Sequence, residues 1–223
     1  MKHLVAPSIL SANFAYLGDA IQLINDSEAD WIHVDVMDGR FVPNITLGPP
    51  ILTSIRPLTK KTLDVHLMIV EPEKFIDEFK KAGADILSVH IEACPHLHRV
   101  VQAIKETGMK AGVAINPHTN INQLEDILPD IDVVCMMSVN PGWGGQKFIP
   151  GTINRIKKLK ALIKQTNSKA LIEIDGGVTM ENAHNILKAG ADVLIAGNTV
   201  FKSTNPKETI ASLKHLDVNT IYV

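Results

Sequence analysis

Eight short apolar runs, each followed by a helical pattern, constrain the fold of this chain more than any other feature. The runs begin near residues 5, 31, 62, 86, 110, 132, 170 and 193 and are rich in Val, Ile and Leu. Nearly continuous apolar runs are typical of parallel strands that are buried on both faces. We therefore expect a closed parallel (β/α)8 barrel, the TIM barrel, that spans residues 1–223 as a single domain.

Apolar residues at helical spacing predict the helices between these strands. The predicted helices lie near residues 17–24, 51–56, 71–82, 97–106, 121–127, 152–165, 181–189 and 206–214. An open doubly wound sheet is the alternative, but no G-x-G-x-x-G motif follows the first run. Two domains are disfavoured because neither a linker nor a shift in composition divides the chain.

Composition excludes several classes of function. The net charge of −2 gives no bulk electrostatic case for nucleic acid binding. The basic segment 155–169 carries apolar residues at helical spacing, which favours a solvated helix face over an anion site. The N-terminus lacks a signal-peptide pattern, and no run approaches the roughly 20 apolar residues of a membrane span. With only two cysteines, Cys94 and Cys135, we expect a soluble protein of the reducing cytoplasm, without a membrane partner.

Polar residues at the predicted strand ends suggest a metal site. His33 and Asp35 alternate with valines, so both side chains lie on one face of the second strand. His66 and Asp175 end two other apolar runs in the same way. Such N and O ligands suit one divalent cation per chain, Zn²⁺, Fe²⁺, Mn²⁺ or Co²⁺. The alternative is a set of buried His–Asp pairs with water.

Three further groups lie near these strand ends. Asp64 shares a face with His66, so it lies either in a lower layer of the barrel or beside a histidine as its partner. Asp38 is interpreted as a turn residue. The methionines at the strand ends either fill the core or form an apolar rim that keeps water from a reactive carbanion; they are Met37, Met68 and Met137.

Glycine-rich loops follow the sixth, seventh and eighth strands. In barrels the last of these loops often bind phosphate, and glycine lets backbone N–H groups approach an anion. The candidate residues are Gly142, Trp143, Gly144, Gly145, Gly176, Gly177, Gly197 and Asn198. The alternative is that these glycines only permit tight turns.

With these residues placed, the chain resembles the ribulose-phosphate 3-epimerase family over essentially its whole length. The motifs that carry the resemblance are A-P-S-I-L-S-A (6–12), H-V-D-V-M-D-G-R-F-V-P-N (33–44), D-V-H-L-M (64–68), V-N-P-G-W-G-G-Q-K-F (139–148), E-I-D-G-G-V (173–178) and A-G-N-T-V-F (196–201). One departure is Asn198, where serine is commoner in the family. Backbone donation survives that change.

The resemblance implies a metal-dependent barrel that interconverts D-ribulose 5-phosphate and D-xylulose 5-phosphate. It implies His33, Asp35, His66 and Asp175 as metal ligands, and Asp35 and Asp175 as the two acid/base groups. Ser8 matches a serine that contacts substrate, and His66 and Asp175 are also expected to do so. Inversion at C3 through an enediolate needs one acid/base on each face, and a divalent metal would polarise the C2 ketone.

Rival functions remain open at this point. Allulose-6-phosphate 3-epimerase would share the chemistry, and loop shape would set the length of the sugar. A decarboxylase of the orotidine-phosphate type would carry D-x-K-x-x-D, but Met37 occupies the lysine position. A non-catalytic metal-binding barrel is the third alternative. The family often forms dimers or hexamers, so we expect a homo-oligomer.

Overall fold

The computed structural model describes residues 3–217, which form eight parallel strands that alternate with helices. The strands are β1 Leu4–Ala6, β2 Trp31–Met37, β3 Thr62–Met68, β4 Ile86–His90, β5 Lys110–Ile115, β6 Val133–Met137, β7 Leu171–Asp175 and β8 Val193–Ile195. The helices are α1 Leu17–Asn25, α2 Pro49–Ile55, α3 Ile76–Ala82, α4 Leu97–Glu106, α5 Thr152–Gln165, α6 Met180–Ala189, α7 Asn198–Phe201 and α8 Pro206–Lys214.

The strands follow one another around a nearly closed barrel in the order β1-β8-β7-β6-β5-β4-β3-β2. The seam between β1 and β2 is held by a single parallel bridge between Ser8 and His33. The N–H of His33 donates to the carbonyl oxygen of Pro7 at 3.0 Å, and that of Asp30 donates to Val5 at 2.9 Å. The predicted (β/α)8 barrel is confirmed.

Two apolar layers stabilise the barrel. The larger core lies between the strands and the surrounding helices, with fully buried residues such as Ile32, Leu63 and Val113. The smaller core fills the barrel interior and includes Trp31, Ile86 and Cys135. Within residues 3–217, none of the helices is both long enough and apolar enough to span a bilayer.

Several predicted elements differ from the structure in length or type. The first strand ends at Ala6, because Pro7 has no N–H for a ladder and Ser8 caps a 3-10 turn by accepting from the N–H of Leu10. The predicted helix at 121–127 is a single 3-10 turn, Ile121–Leu124, and the predicted helix at 71–82 becomes α-helical only at Ile76. The four-residue helix α7 was not predicted, because one turn is too short to show a periodicity.

Close packing of β4 against β5 shapes the layer of the barrel that holds the polar strand-end residues. Asp35, His66, Ser88 and Gly112 are register partners across four adjacent strands. A Cβ at Gly112 would overlap the hydroxyl of Ser88 and lie 2.9 Å from the Cβ of that serine. The missing side chain of Gly112 therefore makes the room that Ser88 occupies.

We predict that Gly112→Ala destabilises the protein by about 1–3 kcal/mol, because an added methyl group overpacks this layer. The measurement is the free energy of unfolding in urea. The double variant Gly112→Ala/Ser88→Gly should recover most of the lost stability. Gly151→Ala is the matched control, since no atom lies within 4 Å of its added Cβ. A Gly112→Ala protein as stable as the Gly151→Ala control would contradict the packing argument.

Candidate active site

A cleft at the C-terminal ends of the strands contains most of the residues singled out in the sequence. Its walls include Ser8, Asp35, Asp175, the loop 141–146 after β6, Gly176 and Gly177 after β7, and Gly197 and Asn198 after β8. Met37, Met68 and Met137 line its floor and are almost fully buried. In (β/α)8 barrels this end of the barrel holds the catalytic site.

Two imidazoles and two carboxylates converge beneath this cleft. Nε2 of His33 and Nδ1 of His66 each lie 3.3 Å from Oδ1 of Asp35, and Nδ1 of His66 lies 3.6 Å from Oδ2 of Asp175. The two histidines are fully buried, whereas the side chain of Asp175 is 16% exposed. Strands β2, β3 and β7 therefore bring all four predicted ligands into one cluster, which we name the His/Asp quartet.

The environment of His33 and Asp35 fixes their orientation. Nδ1 of His33 lies 2.6 Å from Oδ2 of Asp64, which directs the other ring nitrogen toward Asp35. Both interpretations of Asp64 therefore hold, because it lies in the layer below Asp35 and His66 and is the partner of His33. The hydroxyl of Ser8 donates to Oδ2 of Asp35 at 2.6 Å and leaves Oδ1 to face both histidines.

His66 is held through a second histidine that the sequence analysis did not identify. Its Nε2 lies 2.9 Å from Nε2 of His90, and Nδ1 of His90 lies 3.0 Å from Oε2 of Glu92. The other carboxylate oxygen of Glu92 accepts from the N–H of Asn116 at 2.8 Å and from the hydroxyl of Thr119. No sequence periodicity distinguishes His90 from an ordinary polar residue at a strand end.

The carboxylates of the cluster favour the protonated, positively charged forms of its two histidines. Burial alone would lower the pKa of His33, but the carboxylates of Asp35 and Asp64 outweigh it and hold the pKa well above its usual value. Burial is likewise outweighed at His66, where Asp175 and Asp35 raise the pKa to about 9. Burial would raise the pKa of Asp35, yet contacts with the two histidines lower it.

The quartet fits a divalent metal ion. One ligand atom from each of the four residues lies within 4.8 Å of the other three. In the described part of the chain, Nε2 of His33 and Nδ1 of His66 are buried without a hydrogen-bond partner. A buried polar atom without a partner costs on the order of 1–3 kcal/mol, which metal ligation would offset. Two imidazole nitrogens and two carboxylates are a donor set that Zn²⁺ or Fe²⁺ accepts.

The glycine-rich loops after β6, β7 and β8 meet in the cleft above the quartet. Gly145 has a φ of 76°, and a Cβ there would overlap the side-chain amide of Asn198. Asn198, the departure noted in the sequence, therefore packs its carboxamide against the loop after β6. Helix α6 begins beside Gly177, where Thr179 and Asn182 form a capping box, and Thr179 also lines the cleft. Helix N-termini attract anions.

Comparison with known proteins gives the family of the chain. The model of the family described as "Ribulose-phosphate 3 epimerase family" matches residues 4–201. The chain belongs to the ribulose-phosphate 3-epimerase family. Ribulose-phosphate 3-epimerase from Bacillus subtilis is 54% identical over 211 residues, which cover 94% of this chain and 97% of that protein. The enzyme from Synechocystis is also 54% identical, with coverage of 95% and 93%.

Solved structures confirm the fold at much lower sequence identity. KGPDC from Streptococcus mutans superposes with a TM-score of 0.71 at 16% identity and covers 96% of both chains. A tryptophan synthase alpha-subunit from Pyrococcus furiosus has a TM-score of 0.67 at 16% identity, also over 96% of both chains. These likenesses concern the barrel alone, whereas family membership makes this chain an epimerase.

The structure brings the predicted site residues of this epimerase into two groups. The quartet forms the buried group, and the glycine-loop residues with Ser8 line the cleft above it. His66 does not line the cleft, because Asp35 and Asp175 lie between it and the opening. Ser11, Gln146 and Thr199 also line the cleft but were not singled out, since isolated hydroxyl and amide residues in loops carry no pattern.

A second buried carboxyl group, that of Glu173, lies below the quartet of this epimerase. Oxygen atoms of Glu173 and Asp64 and a nitrogen of His33 lie within 4.8 Å of one another. Within residues 3–217, neither oxygen of Glu173 has a hydrogen-bond partner, and the residue is fully buried. Burial, assisted by the charge of Asp64, raises the pKa of Glu173 to about 8. The carboxyl group is therefore protonated at neutral pH.

We predict that Glu173→Gln becomes more stable relative to the wild type as pH rises from 5 to 8. Folding raises the pKa of Glu173 from the ordinary 4.5, so the folded state holds a proton that the unfolded state releases in this window. Wild-type stability thus falls as pH rises through it, and glutamine lacks this cost. The difference in the free energy of unfolding between the two proteins should change by on the order of 2–4 kcal/mol between pH 5 and 8.

The measurement is urea unfolding of both proteins with excess chelator, so that only the protein's own groups titrate. Glu106→Gln, at the exposed end of α4, is the control and should keep the wild-type pH dependence. Parallel stability curves for wild type and Glu173→Gln would show that Glu173 is not held neutral by the fold.

Proposed function

We propose that this chain interconverts D-ribulose 5-phosphate and D-xylulose 5-phosphate by inversion at C3. The observation that carries the proposal is the pair of carboxylates, Asp35 and Asp175, that line one cleft together with the glycine loops. The names of the curated relatives support the same reaction, which belongs to the pentose phosphate pathway.

One divalent ion per chain would be held by Nε2 of His33, Nδ1 of His66 and the carboxylates of Asp35 and Asp175. When bound, such an ion would supply Lewis-acid stabilisation of the negative charge that develops beside C3. Zn²⁺, Fe²⁺, Mn²⁺ and Co²⁺ all accept this donor set. The quartet is preorganised for this purpose, since Asp64, Ser8 and His90 each hold one of its members.

The two aspartates would carry protons on opposite faces of C3. Asp35 comes from β2 and Asp175 from β7, so the substrate can lie between them. A carboxylate on one face removes the C3 proton and leaves an enediolate, and the acid on the other face delivers a proton. Asp35 is held by Ser8 and both histidines, whereas Asp175 has one longer contact with His66 and is partly exposed. Asp175 is thus the freer proton carrier.

The substrate phosphate would bind at the glycine-loop wall. Gly144, Gly145, Gly177 and Gly197 line the same space, where their backbone N–H groups would be the donors, and helix α6 begins beside it. Anions are stabilised at such positions by backbone donors and the helix dipole. Ser8 lies beside Gly197, whose added Cβ would be 3.5 Å from the Cβ of Ser8, and the hydroxyl of Ser8 already donates to Asp35.

Three expectations from the sequence stay predictions. They are that residues 1–223 form a single domain, that the chain assembles into dimers or hexamers, and that it is located in the cytoplasm. They rest on the resemblance and on the sequence pattern. Allulose 6-phosphate is the second candidate substrate, because it presents the same ketone and C3 proton with one more carbon.

We expect D-ribulose 5-phosphate to be turned over with a kcat/KM at least about 100-fold above that of unphosphorylated D-ribulose, since glycine loops would bind the phosphate. A coupled assay that detects D-xylulose 5-phosphate makes the comparison, with allulose 6-phosphate as the third substrate. Equal kcat/KM values for D-ribulose and its phosphate would mean that the glycine loops form tight turns but do not bind the phosphate. A higher value for allulose 6-phosphate would reassign the substrate.

We predict that Asp175→Asn abolishes epimerisation but leaves exchange of the C3 proton of one epimer with solvent. Asparagine has nearly the same shape and cannot carry the proton, while Asp35 still serves its own face. Asp35→Asn should show the mirror pattern with the other epimer. The measurement is deuterium incorporation at C3 by NMR in D₂O, starting from each pure epimer. By resemblance, Asp35 is the base toward ribulose 5-phosphate.

Metal content must be measured in both variants, because both aspartates are proposed ligands. Asp26→Asn, in an exposed ion pair with Lys207, is a control for the general effect of an Asp-to-Asn exchange. A metal-loaded Asp175→Asn enzyme that interconverts the epimers at the wild-type rate would exclude Asp175 as the second acid.

A further inference from the structure

The two histidines of the quartet present opposite ring nitrogens to its centre. His33 presents Nε2 and has Nδ1 held by Asp64 at 2.6 Å, whereas His66 presents Nδ1 and has Nε2 against His90 at 2.9 Å. A carboxylate such as Asp64 only accepts, so it places the proton of His33 on Nδ1. A second imidazole has no such fixed role, because each of its nitrogens can donate or accept. Something else must set the direction of the contact between His66 and His90.

Glu92 determines which of the two histidines donates in this contact. Its Oε1 accepts from the N–H of Asn116 and from the hydroxyl of Thr119, and its Oε2 lies 3.0 Å from Nδ1 of His90. A carboxylate that faces donors on both oxygens requires Nδ1 of His90 to carry a proton. Nε2 of a neutral His90 is then an acceptor, and Nε2 of His66 must donate to it. In the neutral form of His66, which metal binding requires, the lone pair is then on Nδ1, the atom that faces Asp35 and Asp175.

The surroundings of the two histidines bury their rings and restrict their orientation. His66 and His90 are fully buried, and their rings stack with centroids 5.0 Å apart and planes 28° apart. The ring of Phe41 covers His90 with a centroid distance of 4.6 Å. Glu92 is anchored by loop residues after β5, so the contacts run across three neighbouring strands, from β3 through β4 to β5.

We propose that His90 and Glu92 are positioning residues that set the tautomer of His66 and thereby aim its Nδ1 at the metal position. The inference rests on the proposed metal function of the quartet. It deepens that function by naming two residues outside the ligand set on which the ligand state of His66 depends. Hydrogen-bond partners behind a ligating histidine typically change metal affinity 10- to 100-fold when they are mutated.

Glu92→Gln is the variant that tests the direction of the contacts. The amide oxygen of glutamine can satisfy Asn116 and Thr119 only if its NH₂ group faces His90. His90 must then accept on Nδ1 and carry its proton on Nε2, which removes the acceptor for His66. We expect the affinity for Zn²⁺ to fall about 10- to 100-fold, measured by competition with a chelator of known affinity. Glu28→Gln is the matched control, since Glu28 contacts His215 at 2.7 Å in an exposed pair.

The second readout is the tautomer of His90, which the ¹⁵N shifts of its imidazole report in metal-free and Zn²⁺-loaded protein. The wild type should show a proton on Nδ1 and none on Nε2, and Glu92→Gln should show the reverse, with an unchanged far-UV spectrum. His90→Phe keeps an aromatic ring but removes the acceptor, and it should lower the Zn²⁺ affinity as well.

The two readouts separate the failure of this inference from the failure of the proposed function. A wild-type protein with the expected His90 tautomer but no Zn²⁺ binding would refute the metal function and leave the tautomer relay standing. A Glu92→Gln protein with wild-type Zn²⁺ affinity, or a wild-type His90 with its proton on Nε2, would overturn the inference.

Discussion

The structure depends on a largely buried polar cluster that the barrel holds at the C-terminal ends of its strands. Two imidazoles and two carboxylates meet there, and the ring nitrogens that face the carboxylates have no hydrogen-bond partner in the described part of the chain. Burying such groups is costly unless they are paired or coordinate a metal. The contacts behind the cluster, from Ser8, Asp64 and His90, hold these groups in place. The fold thus maintains an arrangement of side chains that could hold a divalent cation.

The polar residues inside the barrel form layers with different roles. The upper layer, with Asp35 and Asp175, borders the cleft and can reach a substrate. Below it lie Asp64 and Glu173, which have no access to solvent. Asp64 orients His33, and protonation keeps Glu173 from adding a further negative charge. Asp64, which does not line the cleft, thus contributes to the charge of the cluster alongside Asp35 and Asp175.

The fold and the quartet were predictable from the sequence because side chains along a strand alternate between its two faces. Polar residues that alternate with valines must share a face, and strand ends in a parallel barrel converge, so His33, Asp35, His66 and Asp175 could be grouped without coordinates. Family motifs then strengthened the grouping. The residues of the glycine loops were predictable because glycine pairs at strand ends are conspicuous.

What could not be predicted depends on register and on ring orientation. The pairing of β2 with β3 places Asp64 opposite His33, and no pattern within one strand contains that pairing. The link from His66 to His90 joins two strands at positions 24 residues apart in sequence, and Glu92 extends it from the turn directly after β4. Which nitrogen of each histidine faces the cluster follows from those partners. Short elements such as α7 and the 3-10 turn after Asn120 lack enough residues to show a period.

The central claim is that the His/Asp quartet binds one divalent cation, and anomalous diffraction tests it most directly. Crystals of the protein loaded with Zn²⁺ would be measured at energies on both sides of the zinc absorption edge. We predict one anomalous peak per chain at about 2.0–2.2 Å from Nε2 of His33, Nδ1 of His66 and carboxylate oxygens of Asp35 and Asp175. No peak among these four residues, or a zinc ion bound only elsewhere on the chain, would contradict the account.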